Sequence, residues 1–243
     1  MKKFILGIKI DDITMNQALE KVEGWLNGQE KRYIVTPNPE IVVMAQTDEE
    51  LRRIINQADL SIPDGKGLRL SGDIVCNIPG IDLMEALIKK ASENGFTVGL
   101  LGGRDKVAEL ASERLQKKYP KLKVAFAKSG GEVGLDGTMS TNPSTPLRAG
   151  YQLPTTKLLF VAFGPPKQEK WIAKNINKID VGVVMSVGGA FDYLSHSIPR
   201  APKLLRNLNL EWLFRLIIQP WRIKRQLALL KYLWLLGTFN KKG

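Results

Sequence analysis

Two polar segments, Thr36-Pro37-Asn38 and Pro63-Asp64-Gly65, each follow a short apolar run and carry side chains capable of chemistry. Asp64 lies between a proline, which fixes φ, and a glycine, which permits a sharp turn, so we expect a rigidly held carboxylate. Such a carboxylate could act as a general base toward a hydroxyl group. The side chains of Thr36 and Asn38 could bind hydroxyl or acetamido groups. Each of the three residues could equally cap a following helix.

Three further segments place glycines or polar residues directly after apolar runs. Gly102 and Gly103 precede a predicted helix, whose first N–H groups could bind a phosphate. Gln168 and Glu169 fall in the first turn of a helix that begins after two prolines, where side chains could face a cleft. Glu169 could instead simply interact with the helix dipole. Asp192 follows a pair of glycines, and its alternative role is a turn or a helix cap.

Strand-like and helix-like segments alternate along the chain. The strand candidates are FILGIKI, RYIVT, LSIP, FTVGLLGG, LKVAFA, KLLFVAFG and VGVVMSVGG. Their nearly continuous apolar character is typical of strands covered on both faces. The alternation predicts a Rossmann-like, layered α/β domain with a mostly parallel sheet. Because ligands bind at the carboxyl ends of such strands, we expect the polar segments to form one cleft. Residues 129–156 are rich in Gly, Ser, Thr and Pro and predict a loop.

The composition argues against a tightly held metal ion. The chain has 243 residues with a single cysteine, Cys76, and a single histidine, His196. An internal disulfide and a multi-histidine metal site are therefore impossible, and CxxC, HExxH and DxD motifs are absent. The N-terminal apolar run is too short for a signal peptide, so we interpret it as part of the mature protein.

Positive charge is concentrated at the C-terminal end. The net charge is +12, and residues 199–243 contribute ten basic residues and one acidic residue. We therefore predict a core of residues 1–198 and a basic, amphipathic helical appendage of residues 199–243 that contacts an anionic surface. Its apolar run LALLKYLWLLGTF is too short to span a bilayer, and its Trp, Tyr, Lys and Arg residues predict a helix in the headgroup layer. The alternatives are packing on the core and an oligomer contact.

Taken in order, these segments resemble the WecG/TagA/CpsF glycosyltransferases from about Leu6 to Arg225. No single motif is specific, but the ordered set is. The matching motifs are Thr36-Pro37-Asn38 with Glu40, Pro63-Asp64-Gly65 with Gly67, Gly80-Ile81-Asp82-Leu83, Gly102-Gly103, Gly164-x-Pro166-Lys167-Gln168-Glu169-x-Trp171, Gly188-x-x-Phe191-Asp192, Arg200-Ala201-Pro202 and Leu210-Glu211-Trp212-Leu213-Phe214-Arg215. The chain departs from the family pattern at Asn77, where an arginine is usual.

The resemblance implies an inverting transferase that needs no metal or other cofactor. It implies transfer of N-acetylmannosamine, or a related sugar, from a UDP-sugar to undecaprenyl-diphosphate-linked N-acetylglucosamine. Such a step belongs to the assembly of the teichoic-acid linkage unit or a related cell-surface polysaccharide. By position, Asp64 matches the family's proposed general base and Thr36 the threonine beside it. The residues implied to hold the donor are Asn38, Gly102, Gly103, Gln168, Glu169 and Asp192.

The resemblance also bears on the basic appendage and on partners. It implies that Arg215, Arg222 and Arg225 bind the lipid diphosphate, and that the protein lies on the inner, cytoplasmic face of the cell membrane. A homo-oligomer is conceivable. Two rival interpretations are a UDP-sugar-binding protein without catalysis and a basic nucleic-acid-binding protein. Because no nucleic-acid-binding motif is present, we do not expect a nucleic-acid partner.

Overall fold

A parallel β-sheet with helices on both faces forms the centre of the molecule. The computed structural model of the chain describes residues 1–131, 133–139, 153–202, 204–205, 211–220 and 223–239. The strands are β1 (Lys2–Ile5), β2 (Ile8–Asp11), β3 (Arg32–Val35), β4 (Leu60–Ser61), β5 (Thr97–Gly102), β6 (Lys123–Lys128), β7 (Thr156–Ala162) and β8 (Val181–Ser186).

Helices follow most of these strands. They are α1 (Met15–Leu26), α2 (Pro39–Met44), α3 (Glu49–Gln57), α4 (Gly80–Asn94), α5 (Val107–Lys118), α6 (Lys167–Asn175), α7 (Ala190–Leu194), α8 (Glu211–Ile218) and α9 (Ile223–Phe239), with a 3-10 helix at Lys66–Ser71. Among the described residues, no helix is both long and apolar enough to cross a membrane.

The sheet has the strand order β4-β3-β8-β7-β5-β6, and every neighbouring pair in it is parallel. Alternate residues of each strand face opposite apolar clusters: Leu158 and Val183 lie in one cluster, and Leu159 and Val184 in the other. Burial on both faces explains the continuous apolar runs in the sequence. The predicted layered α/β fold with a mostly parallel sheet and a C-terminal helix is confirmed.

The first strand candidate, FILGIKI, was predicted wrongly. It forms the antiparallel hairpin β1–β2, which lies outside the main sheet. The chain reverses at Leu6 and Gly7, which both have positive φ (49° and 77°). Alternation of apolar residues continues through the turn, so the pattern alone did not reveal it.

The inner face of helix α9 packs on the core. Tyr232 is fully buried, and its hydroxyl donates a hydrogen bond to the carbonyl oxygen of Leu68 over 3.4 Å. Leu229, Leu235 and Leu236 pack into the same apolar cluster as residues of α2. Packing on the core, one of the two alternatives for the C-terminal segment, therefore holds for this face. The division into residues 1–198 and 199–243 stays a prediction.

We predict that Gly102→Ala destabilises the sheet. Gly102 has φ +112°, and an added Cβ would lie 2.7 Å from the carbonyl carbon of Ala162 on β7. Because a strained φ and an overpacked contact each cost about 1–3 kcal/mol, the free energy of unfolding should fall by at least about 2 kcal/mol in urea denaturation.

Gly24→Ala is the matched control for this substitution. Gly24 lies in α1, and an added Cβ there would have no contact within 4 Å. Alanine should raise the free energy of unfolding by about 0.5–1 kcal/mol at this helical position. An unchanged unfolding midpoint for Gly102→Ala would contradict the steric role of Gly102.

Candidate active site

A cavity of about 1430 Å³ opens at the carboxyl ends of the parallel strands. Its wall includes the residue that follows each of four strands: Thr36 after β3, Gly103 after β5, Phe163 after β7 and Val187 after β8. Segments distant in sequence meet here because parallel strands end at the same edge of a sheet. The cavity exceeds the range of about 300–1,000 Å³ for typical small-molecule sites, so it could hold a ligand of several parts.

Thr36 and Asp64 lie on the wall of this one cavity, near Gly80 at the start of α4. The Gly80 N–H donates a hydrogen bond to Asp64 Oδ1 over 3.2 Å. A Cβ added to Gly80 would lie 3.3 Å from Thr36 Oγ1. Thr36 is nearly buried, and its hydroxyl donates to the Ser186 carbonyl oxygen over 3.4 Å. The Thr36 hydroxyl and the Asp64 carboxylate thus both lie near Gly80 on the cavity wall, and their catalytic roles stay a prediction.

The helix-cap alternative holds for Asn38 but not for Asp64. Asn38 Oδ1 accepts a hydrogen bond from the Ile41 N–H over 3.0 Å and caps α2, while the residue also lines the cavity. The 3-10 helix after Asp64, Lys66–Ser71, has Gly65 as its N-cap residue and no side-chain cap. The Asp64 N–H donates to the Pro37 carbonyl oxygen over 2.9 Å, which joins the tips of β3 and β4.

Gly103 lines the cavity, whereas Gly102 is not among the lining residues. The Gly103 N–H donates to the Ala162 carbonyl oxygen over 2.9 Å, so this N–H is already engaged with the chain after β5 and β7. Gly102 lets the backbone of β5 approach that of β7, since a Cβ added to Gly102 would lie only 2.7 Å from the carbonyl carbon of Ala162. A part for either glycine in donor binding stays a prediction.

The side chain of Gln168 joins two strand tips. Its Oε1 accepts hydrogen bonds from the Gly164 N–H over 3.2 Å and the Gly188 N–H over 3.0 Å. Its Nε2 donates to Glu169 Oε1 over 2.8 Å. Gln168 is only 2% exposed, although it reaches the cavity wall. The amide therefore fixes the ends of β7 and β8 relative to each other.

Glu169 lies behind the cavity wall. It is 1% exposed and is not among the lining residues. Burial raises the pKa of Glu169 above its ordinary value of 4.5, while the hydrogen bond from Gln168 acts in the opposite direction. Burial penalises the charged form, so the carboxyl tends toward neutrality. Its predicted contact with a donor sugar is untested.

Helix α8 brings a cation to the cavity. Arg215 and Asp192 both line the wall and form an ion pair with an N–O distance of 3.3 Å. The Arg215 guanidinium also lies 4.5 Å from the centroid of the Tyr193 ring, and its Nε donates to Gln219 Oε1 over 3.3 Å. These contacts hold the guanidinium at the cavity, where a ligand anion could bind it.

Two other predicted cations are placed only in part or not at all. Arg222 lies outside the described residues, and only the backbone of Arg225 is described.

Asn77, which stands where the family usually has an arginine, is half-buried and is not among the residues that line the cavity. Within the described part of the chain, no group of three or more His, Cys, Asp or Glu residues could hold a metal ion.

Several residues of the site carried no recognisable role in the sequence. Tyr193 and Gln219 complete the surroundings of Arg215, and Ser186 supplies the carbonyl that holds Thr36. Gly80 belongs to one of the matching motifs, but its contact with Asp64 depends on where α4 starts in space. The only signal for that contact was the Pro-Gly pair that opens this helix.

Comparison with known proteins gives a match along almost the whole chain. The model of the glycosyl transferase WecG/TagA/CpsF family matches residues 4–242. A protein of Staphylococcus aureus strain NCTC 8325 is 34% identical over 245 residues, covering 98% of this chain and 93% of that protein. A protein of strain COL gives the same values, and one of strain MW2 is 33% identical. All three are named N-acetylglucosaminyldiphosphoundecaprenol N-acetyl-beta-D-mannosaminyltransferase. The resemblance found in the motifs is confirmed.

We predict that the contribution of Glu169 to the free energy of unfolding decreases as the pH rises above 4.5. At lower pH the carboxyl is protonated in both the folded and the unfolded chain. Above 4.5 the unfolded chain loses this proton first, because the pKa of Glu169 is raised in the folded state. The free energy of unfolding should therefore fall with rising pH up to the raised pKa.

Glu169→Gln should remove this contribution to the pH dependence. The free energy of unfolding of both proteins can be measured in urea from pH 4.5 to about 8. Glu20→Gln, an exposed substitution on α1, is the control and should keep the wild-type dependence. Identical profiles for wild type and Glu169→Gln would mean that Glu169 ionises as readily in the folded as in the unfolded chain.

Proposed function

Because the chain belongs to the WecG/TagA/CpsF family of glycosyl transferases, we propose that it transfers N-acetylmannosamine to N-acetylglucosamine carried on undecaprenyl diphosphate. The names of the Staphylococcus aureus relatives support this sugar and this acceptor. We further propose that the donor is the UDP-sugar and that the product serves the teichoic-acid linkage unit or a related cell-surface polysaccharide. The motif resemblance supports both of these finer statements.

The position of Asp64 carries the proposal. The carboxylate lines a cavity large enough for a nucleotide sugar, and Thr36 lines the same cavity. In the proposed reaction, Asp64 takes the proton of the acceptor hydroxyl as that oxygen attacks the anomeric carbon. The bond from this carbon to the diphosphate breaks, and UDP leaves with the bonding electron pair. Attack from the side opposite the leaving group inverts the anomeric configuration.

We propose that the leaving diphosphate is stabilised by positive charge from the C-terminal segment. Arg215 is one of the cations on the cavity wall, and its contacts with Asp192 and Tyr193 hold it there. A guanidinium can bind phosphate oxygens through two parallel hydrogen bonds. Arg222 and Arg225 are proposed to act in the same way on the lipid diphosphate.

The remaining predicted donor residues divide into two groups in this proposal. Asn38, Gly103, Gln168 and Asp192 line the cavity and are proposed to contact the donor. Gly102 and Glu169 lie behind the wall and are proposed to act indirectly. Gly102 allows the close approach of β5 to β7, and Glu169 holds the amide of Gln168.

We propose that α9 rests on the membrane surface. Its outer face exposes Leu227 (57%), Leu230 (65%) and Trp234 (65%), while Tyr232 on the opposite face is buried. A helix that is apolar on both faces requires a second apolar partner. Lys231 is also exposed and could interact with anionic headgroups. A peripheral position on the cytoplasmic face of the cell membrane also suits a lipid-linked acceptor.

Asp64→Asn should lower kcat by about 10²–10⁴-fold, because the amide cannot take up the acceptor proton. The measurement is transfer from UDP-N-acetylmannosamine to a short-chain, water-soluble diphosphate acceptor, with UDP affinity determined by calorimetry. Asp73→Asn, an exposed substitution in the same chain region, should keep full activity.

The same assay separates the rival functions. A sugar-binding protein without catalysis would bind UDP but turn over nothing, even as wild type. A nucleic-acid-binding protein would bind DNA or RNA in a salt-sensitive way and not UDP. Full activity of Asp64→Asn would remove Asp64 from the mechanism.

Substituting Leu230 and Trp234 together by glutamate should weaken binding to anionic vesicles by at least about tenfold, because apolar contacts are lost and like charges are added. The fold should survive, since both side chains are exposed. Sedimentation with vesicles containing phosphatidylglycerol measures the effect. Leu110→Glu is the control. Leu110 is also exposed, but it lies on α5, which connects β5 to β6 at the edge of the sheet opposite to β4.

A second copy of the chain is the competing occupant of this outer face. In that case the wild type would sediment as a dimer and the double variant as a monomer, with vesicle binding unchanged. That result would refute membrane contact through α9.

A further inference from the structure

The segment between Asp64 and α4 exposes apolar side chains beside the candidate active site. Leu70 is 58% exposed and Val75 is 70% exposed, although Leu68, Ile74 and Ile78 in the same segment are buried. This pattern is unlike an ordinary polar surface loop, since the segment combines core residues with apolar residues directed outward.

Hydrogen bonds fix the part of the segment that carries Val75. The Asp12 carboxylate accepts the Cys76 N–H over 2.8 Å and the Val75 N–H over 3.3 Å. Buried Ile74 and Ile78 anchor the chain on either side. The exposure of Val75 is therefore imposed by the surrounding structure.

The segment is in direct contact with α9. Gly67 approaches Leu229 so closely that an added Cβ would lie 3.5 Å from Leu229 Cδ1, and 2.6 Å from Pro39 Cγ on the other side. The Tyr232 hydroxyl reaches the Leu68 carbonyl oxygen. Leu70 thus belongs to the 3-10 helix that α9 contacts, and Val75 follows this helix four residues after its end.

The charges around Leu70 are suited to an anionic partner. Lys66 and Arg69 are exposed on the 3-10 helix, and one acid, Asp73, is exposed in the following turn. The local charge is positive, and Lys231 on α9 is exposed as well. Apolar side chains combined with lysine and arginine are typical of surfaces that lie in the headgroup layer.

We propose that Lys66, Arg69, Leu70 and Val75 form a second membrane-contact surface, here called the Leu70 surface. This inference rests on the proposed function, in which α9 docks on the membrane. The Leu70 surface would contact the same bilayer and hold the cavity entrance near Asp64 at the level of the lipid headgroups. A lipid-linked diphosphate acceptor could then reach the carboxylate without leaving the bilayer.

The test is the double substitution Leu70→Glu with Val75→Glu. Binding to vesicles of equal parts phosphatidylglycerol and phosphatidylcholine should weaken by at least about tenfold. The substitutions remove two apolar side chains and add two negative charges, which the anionic lipid repels. Transfer to a lipid-linked acceptor in these vesicles should fall in parallel. Transfer to a short-chain, water-soluble acceptor should stay at the wild-type rate, since neither side chain lines the cavity.

Leu110→Glu is again the matched control and should leave all three measurements unchanged. Lys66→Ser with Arg69→Ser should weaken binding to the anionic vesicles but not to vesicles of phosphatidylcholine alone. Circular dichroism of each variant verifies folding, which should persist because these side chains are exposed.

The outcomes separate failure of this inference from failure of the proposed function. Wild-type protein that transfers no sugar to either acceptor would overturn the proposed function. The inference alone would be overturned if the wild type transfers sugar to both acceptors and the Leu70/Val75 variant binds vesicles as tightly as the wild type does. A wild-type dimer that this variant converts to monomers, without loss of vesicle binding, would also overturn it and assign the surface to a second copy of the chain.

Discussion

The hydrogen bond from the Gly80 N–H to the Asp64 carboxylate is the contact on which the candidate active site depends. It brings the first turn of α4 against the tips of β3 and β4, where Thr36 also lies. A Cβ added at position 80 would lie 3.3 Å from Thr36 Oγ1, so the Thr36 side chain would have to shift to accommodate it. The N-terminus of a helix favours negative charge, and the Asp64 carboxylate lies at the N-terminus of α4.

The other side of the cavity depends on a buried amide. Gln168 holds the ends of β7 and β8 through two backbone N–H groups, and Glu169 fixes the orientation of the amide from behind. An amide can accept and donate at once, which a carboxylate or a hydrocarbon at position 168 could not do in the same geometry. The wall that faces a substrate is therefore supported by a second layer of residues that need not contact it.

The sequence predicted the layers of the fold and the edge at which the site forms, because both follow from local patterns. Apolar runs that end in Gly, Pro or Asp identify the carboxyl ends of strands, and parallel strands bring these ends together. The partners of individual side chains could not be predicted in this way. Thr36 binds the carbonyl of Ser186 and Asp64 binds Gly80, and both pairs form only after the sheet order and the start of α4 are established.

The C-terminal helix shows a different limit of pattern reading. Its apolar run, together with Trp, Tyr, Lys and Arg residues, predicts a helix in the headgroup layer and leaves packing on the core as an alternative. In the structure α9 has two apolar faces: Tyr232 is buried against the core and Trp234 is exposed. The two alternatives are therefore compatible, because each concerns a different face of the helix.

The inner face of α9 contacts α2 and the 3-10 helix that follow the segments containing Asn38 and Asp64. Whatever binds the outer face is therefore one helix diameter away from elements that position the candidate catalytic residues. A membrane in contact with that outer face would hold α9 against the core and so favour the observed arrangement of the cavity.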